Sequence, residues 1–213
     1  MSRIGVLALQ GDVREHIRAI GECGADGFPV KSRAELASCD GLIIPGGEST
    51  TIAKLARNFG LFDPIVDAMS AGLPVYGSCA GMILLADRVL DAMSGQETFG
   101  GLDVTVRRNA FGRQVDSFES EIEFAAGKPF KMTAVFIRAP WVEAVGDSVA
   151  VLAEVDGHAV AVRSRNLFAT SFHPELTNDT RVHRYFIEEI VAPNMVRSNS
   201  LTGAPRGSEG ELR

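Results

Sequence analysis

Apolar residues in the first half of the chain come in short continuous runs separated by glycine-rich breaks. Residues 3–9 (RIGVLAL) form one run, which stops at Gln10-Gly11-Asp12. Beyond it Val13, Ile17 and Ile20 recur at helical spacing, with Asp12 placed to cap the helix and Gly24 to end it. Residues 40–45 (DGLIIP) read as a second buried strand, stopped by Gly46-Gly47, and Ser49 or Thr50 can cap a helix that reaches Asn58. Residues 61–71 predict a helix and residues 73–76 a strand. That strand runs into Gly77-Ser78-Cys79-Ala80-Gly81, and a helix through Asp87 follows. Strands that are apolar throughout and alternate with helices predict an α/β fold: three layers, with helices on both faces of a mostly parallel sheet.

The second half changes period. Residues 102–106, 120–124, 134–137, 149–155, 158–162 and 167–172 read as strands, and Asp156-Gly157 between two alternating runs is a hairpin signal. Antiparallel strands therefore extend the sheet or form a small side sheet. A last helix is expected over 178–191. The domain is expected to occupy 1–192, with 193–213, rich in Ser, Gly, Pro and charge, as a disordered tail.

At 213 residues the chain suits one domain with a sizeable core. Its net charge of −6, without a dense Lys/Arg stripe, argues against nucleic-acid binding as the main task. The three cysteines, Cys23, Cys39 and Cys79, are an odd count in a chain that can build its own core, so no disulfide framework is expected. No CxxC or His/Cys cluster suggests a metal, and no cofactor is expected. The N-terminus lacks the pattern of a signal peptide and no apolar run has membrane-spanning length, so a reducing cytoplasm and no membrane contact are the expectation.

Gly77-Ser78-Cys79-Ala80-Gly81 fits G-x-nucleophile-x-G between a strand and a helix. A sharp turn would hold Cys79 in a strained conformation, and the glycines would remove side chains that clash. The sulfur would then be exposed at the carboxyl edge of the sheet, next to a helix N-terminus that favours thiolate. A buried core cysteine beside a glycine turn is the plainer reading, and it suits Cys23 and Cys39. Of the four histidines, His16, His158 and His183 read as surface or interface residues. His173 is followed by Pro174, which biases it towards extended backbone, where residues two apart share a side. His173 and Glu175 could then form the base and orienting carboxylate of a triad. In Pro45-Gly46-Gly47-Glu48-Ser49 another strand ends in a glycine turn whose N–H groups suit an anion or oxyanion, although a plain βα turn has the same look. The spacing of a P-loop is missing.

The combination PGGES, GSCAGM and SFHPE resembles the class I, triad-type glutamine amidotransferases. LALQGDVREH, PGGESTT, RNAFGRQVDSFE, FIRAP and SFHPELT, which span residues 7–177, are similar to the glutaminase subunits of pyridoxal 5′-phosphate synthase within it. The resemblance implies that Cys79 attacks the amide of L-glutamine, with His173 and Glu175 completing the triad. It implies an oxyanion hole from the N–H groups of Gly47 and Ala80. Glutamine would be held by Gly47, Glu48, Ser49, Arg108, Ile137 and Arg138; the choice of Arg108 over Arg107 rests on its adjacency to Asn109. Gln10, Gly11 and His16 would serve the partner surface and activation, through a flip at Gln10-Gly11. The implied partner is a (β/α)₈ synthase subunit in a large hetero-oligomer, making pyridoxal 5′-phosphate from the ammonia. A chain used up by its glutaminase domain has nothing left to bind an ammonia acceptor, which also calls for a partner. Three other readings remain open: a glutaminase serving another acceptor, such as imidazole glycerol phosphate synthase; a stand-alone γ-glutamyl hydrolase or cysteine peptidase; and a binding module with an inert cysteine.

Overall fold

The computed structural model describes residues 1–108, 110 and 117–196. The first half runs β1 (Arg3–Leu7), α1 (Val13–Glu22), β2 (Asp26–Val30), α2 (Arg33–Ala37), β3 (Gly41–Ile44), α3 (Ser49–Asn58), α4 (Phe62–Ser70), β4 (Val75–Ser78) and α5 (Ala80–Leu85). Then come β5 (Ala86–Leu90), β6 (Leu102–Arg107), β7 (Ser117–Phe124), β8 (Phe130–Ile137), β9 (Trp141–Val145), β10 (Ala150–Val155), β11 (His158–Ser164) and β12 (Leu167–Thr170). A 3₁₀ turn (Pro174–Leu176), α6 (Arg181–Tyr185) and a π-helical stretch (Phe186–Val191) follow.

The main sheet has the order β2-β1-β3-β4-β12-β11-β9-β6-β5, with β10 paired to β11. From β2 to β12 all neighbours are parallel, as the continuously apolar strands predict. Beyond β12 the pairing is antiparallel as far as β6, and the edge strand β5 lies parallel to β6. The β10–β11 hairpin turns at Asp156-Gly157, both at positive φ, as the sequence signal required. Alternation along each buried strand feeds two cores. Leu42 and Ile44 of β3 join Ile52 of α3, Ile65 of α4 and Leu84 of α5 on one face. Ile43 joins Ile20 of α1, Phe168 of β12 and Phe186 on the other. Each such fully buried side chain contributes about 1.5–3 kcal/mol.

The helices do not cover both faces alone. The antiparallel ribbon β7–β8 packs Ile122, Phe124, Met132 and Phe136 into the same core as α1 and α6. The helix after Cys79 ends at Leu85 rather than Asp87, because Ala86 turns extended and Arg88 and Val89 pair with β6. The last helix starts at Arg181 rather than 178, and residues 192–196 are still helical, past the expected boundary at 192. The remainder of the expected tail, 197–213, and most of RNAFGRQVDSFE (Asn109 and residues 111–116) lie outside the described residues. Among the described residues no helix is long and apolar enough to cross a membrane.

The segments after β1, β3, β4 and β12 all leave the same carboxyl edge of the parallel sheet, and they carry Gln10, Gly46, Cys79 and His173.

Candidate active site

Between β4 and α5 Cys79 adopts φ 50° and ψ −101°, a conformation that is strained for a residue with a side chain. Its N–H donates to the Thr170 carbonyl at 2.8 Å, which ties the turn to the end of β12. Both flanking glycines are needed for room. A Cβ on Gly77 would lie 2.5 Å from the Gly81 backbone, and one on Gly81 would lie 2.3 Å from the Ile44 oxygen. The thiol is not exposed as expected: Cys79 has 7% of its surface accessible, and Sγ lies 3.8 Å from the carbonyl oxygen of Ile137 at the end of β8. Cys23 and Cys39 are half-buried rather than core residues.

His173 and Glu175 meet as the spacing suggested, with Nδ1 2.7 Å from Oε1. The route differs, however. His173 is near-extended, but Glu175 belongs to the 3₁₀ turn, and the turn brings the carboxylate under the ring. The His173 backbone N–H donates to the Val135 carbonyl at 2.9 Å, anchoring this residue to β8. Burial alone would push the imidazole down, but hydrogen bonds to Cys79 and Glu175 outweigh it and raise the group to about 10. Burial would push the Glu175 carboxyl up, but His16 and His173 on either side more than offset this and hold it at about 2. The Ser78 hydroxyl also donates to Glu175, at 3.3 Å, a contact of the residue before Cys79 that sequence alone did not suggest.

Asp12 does not cap α1 with its side chain; Oδ2 instead sits 3.7 Å from His173 Nδ1. Asp12, His173 and Glu175 offer ligand atoms within 4.8 Å of one another, a set that could also gather a cation. The reading of His16 and His183 as surface residues is overturned, since neither has any exposed area. His16 Nδ1 lies 2.9 Å from His183 Nε2, and His16 Nε2 lies 3.5 Å from Glu175 Oε1. The signal was present: His16 is spaced three and four residues from Val13 and Ile20 on the apolar stripe of α1. His158 stacks on Trp141.

The turn after β3 closes over His173. A Cβ on Gly46 would come within 2.3 Å of His173 Cε1, and one on Gly11 within 1.8 Å of the Gly46 oxygen. The Gln10 side chain accepts from the Glu48 N–H at 3.0 Å, so the Gln10-Gly11 turn is docked on the Gly46-Gly47 turn. Glu48, rather than Ser49 or Thr50, caps α3, accepting from the N–H groups of Thr50 and Thr51. Burial would raise its carboxyl, but the hydrogen bonds of Thr50 and Thr51 pull it down to about 2. Arg108 reaches Glu48 Oε1 at 3.1 Å, whereas Arg107 pairs with Asp91 and Glu143. Gln96, another residue that sequence reasoning passed over, takes hydrogen bonds from Arg108 and Ser49 at 2.8 and 3.1 Å. Glu48, Ser49 and Arg108 thus form one cluster, while Ile137 stands over Cys79 with Arg138 beside it at φ +43°. Ala80 is the first residue of α5, where a helix leaves N–H groups without an internal acceptor.

The buried histidines set an acid limit on stability. Burial pushes His16 below 6.5 and His183 from 6.5 to about 3. Below 6.5 both charge on unfolding, so their contribution is complete above 6.5 and is lost as pH falls, for His183 down to about 3. The loss reaches about 1.4 kcal/mol per pH unit for each group. Glu175 loses its contribution only between 4.5 and about 2. His173 works the other way, with a contribution that is complete below 6.5 and lost towards 10. Thermal unfolding followed across this range should show stability falling from 6.5 downwards, before the carboxylates protonate.

The SNO glutamine amidotransferase family model matches residues 6–192. The chain is 62% identical over 186 residues to "Pyridoxal 5′-phosphate synthase subunit PdxT" of Parafrankia sp. (strain EAN1pec), covering 87% of this chain and 92% of the relative. It is 60% identical over 198 residues to the protein of the same name in Streptomyces coelicolor, covering 92% and 94%. A solved structure titled "Crystal structure of glutamine amidotransferase" aligns with TM-score 0.82 at 46% identity, covering 88% of this chain and 98% of that one. With a family model that spans most of its length and relatives this similar, the chain belongs to the SNO glutamine amidotransferase family.

Proposed function

We propose that the chain hydrolyses L-glutamine to L-glutamate and ammonia at Cys79, and passes the ammonia to a synthase subunit that makes pyridoxal 5′-phosphate. The observation that carries the reading is the 2.7 Å contact between His173 and Glu175 beside a cysteine held on a strained elbow. His173, held in its protonated form by Cys79 and Glu175, keeps the thiol's proton as the sulfur attacks the side-chain carbonyl carbon of glutamine. The oxyanion is met by the N–H groups of Gly47 and Ala80. When the C–N bond breaks, His173 gives its proton to the leaving nitrogen, and a γ-glutamyl thioester remains. Water then attacks the thioester, His173 takes a proton from it, and the thiolate leaves with that proton as glutamate is released. Glu175 stays ionised throughout and holds Nδ1–H in place. Arg108 faces the substrate α-carboxylate, Glu48 and Ser49 its other polar groups, and Ile137-Arg138 closes the cleft.

The names of the relatives support the acceptor. The partner in this reading is a (β/α)₈ subunit, the assembly is a large hetero-oligomer in the cytoplasm, and docking acts through the Gln10-Gly11 turn. Ammonia release from glutamine, followed with the chain alone and then with a synthase subunit from a related organism, tests this. Release should rise on mixing and saturate with the synthase. A rate that the synthase leaves unchanged would remove the activation step.

Room around the base gives a further expected result. In Gly46→Ala the new methyl would overlap the His173 ring and displace it. A displacement near an ångström costs about 10²-fold in turnover. Glutaminase kinetics alongside a melting curve would separate this from simple unfolding.

A further inference from the structure

Two buried histidines, His16 on α1 and His183 on α6, have no part in the chemistry above. Their rings touch each other, and the Tyr76 ring stands edge-on to both, 6.2 Å from His16 and 6.1 Å from His183. His16 Nδ1 and His183 Nε2 are 2.9 Å apart, so one of them carries the proton between them. At the far side of His16, Nε2 faces Glu175 Oε1 across 3.5 Å, and neither this atom nor His183 Nδ1 has a hydrogen-bond partner among the described residues.

Two independent arguments select the same proton arrangement. An ionised carboxylate only accepts, so the His16 nitrogen that faces it must carry a hydrogen. A neutral imidazole with hydrogen on Nε2 has a bare Nδ1, so His183 must donate its Nε2–H to it. The opposite arrangement would point a lone pair of His16 at the Glu175 charge. It would also leave a buried N–H on His183 Nδ1 without an acceptor among the described residues, which is costlier than a bare lone pair there. Burial keeps both rings neutral.

We propose that His183 is a positioning residue for the triad: by donating to His16 Nδ1 it locks the tautomer in which His16 presents an N–H to Glu175 Oε1. That oxygen is the one His173 uses. Oε1 accepts from Ser78 and pairs with His173, and the His16 N–H facing it at 3.5 Å adds a third constraint on the carboxylate's rotation. The proposal rests on Glu175 acting as the triad carboxylate.

The test compares His183→Leu, which removes the donor, with His183→Gln, whose side-chain N–H can stand near the position of Nε2. Assays use the full chain with the synthase subunit present. His183→Leu should lower kcat about 10-fold with KM for glutamine unchanged, the scale typical of groups that orient a working histidine, and His183→Gln should recover most of the loss. Imidazole nitrogen shifts of the wild-type chain should show His16 with hydrogen on Nε2 and a bare Nδ1. That measurement decides the matter even if His183→Leu does not fold. Hydrogen on His16 Nδ1 in the wild type, unchanged kcat in His183→Leu, or equal losses in both variants would overturn the proposal. Failure of the triad reading itself looks different: the tautomer would be as stated, but Glu175→Gln would keep full turnover.

Discussion

Cys79→Ala should lower ammonia release from glutamine by roughly 10⁴-fold or more, since no other nucleophile takes the place of the thiol in a triad mechanism. The effect is on chemistry rather than folding. Alanine keeps the backbone strain of φ 50° and removes only the sulfur, a small loss of buried volume beside the drop in turnover. Cys79→Gly should be equally inactive but more stable, because glycine adopts positive φ freely and the strain of a side chain there costs about 1–3 kcal/mol. Kinetics and melting curves on the two variants separate the effects. A Cys79→Ala chain that still releases ammonia would remove the thioester. A Cys79→Gly chain no more stable than wild type would show that the elbow is unstrained.

Glu175→Gln should lower kcat by about 10⁴-fold, the scale seen when a triad carboxylate is made neutral in place. The shape is kept: Gln Oε1 can still accept from His173, and the new NH₂ group can donate to the Ser78 hydroxyl. What is lost is the negative charge that stabilises His173 while it carries the proton. KM for glutamine should change little, since the Glu48, Ser49 and Arg108 cluster does not involve Glu175. With its carboxyl held at about 2, Glu175 stays ionised down to strongly acidic pH. Wild-type activity should therefore show no loss near 4.5 from this residue.

The elbow was legible in the sequence because its requirements are local. Two glycines and a strand-to-helix switch mark a place where backbone must pass backbone, and the structure puts Gly77 against Gly81 and Gly81 against Ile44. The parallel half was legible because β1, β3, β4 and β12 are apolar on both faces. The edge strand β2 was missed: Gly27 and Pro29 weaken any strand signal, and Pro29 is tolerated only because β2 has a partner on one side. Helix α2 was missed although Ser32 and Glu35 form a capping box, with Ser32 Oγ accepting from Glu35 N–H. Asp12, Ser78, His16 and His183 were misread or overlooked for a different reason. Their roles depend on α1, α6 and the end of β4 converging on one carboxylate, and no local pattern records which distant group a polar side chain will meet. Arg107 and Arg108 were separable only by geometry, since one pairs outward across the sheet and the other turns towards Glu48.

The most direct test of the account follows the nitrogen. The chain and a synthase subunit are supplied with glutamine labelled at the side-chain amide, in the presence of excess unlabelled ammonium. If Cys79 releases ammonia under a docked partner, the pyridoxal 5′-phosphate formed carries the label despite the competing ammonium, and Cys79→Ala abolishes that labelling. Product that carries only unlabelled nitrogen, or label that survives in Cys79→Ala, would contradict it.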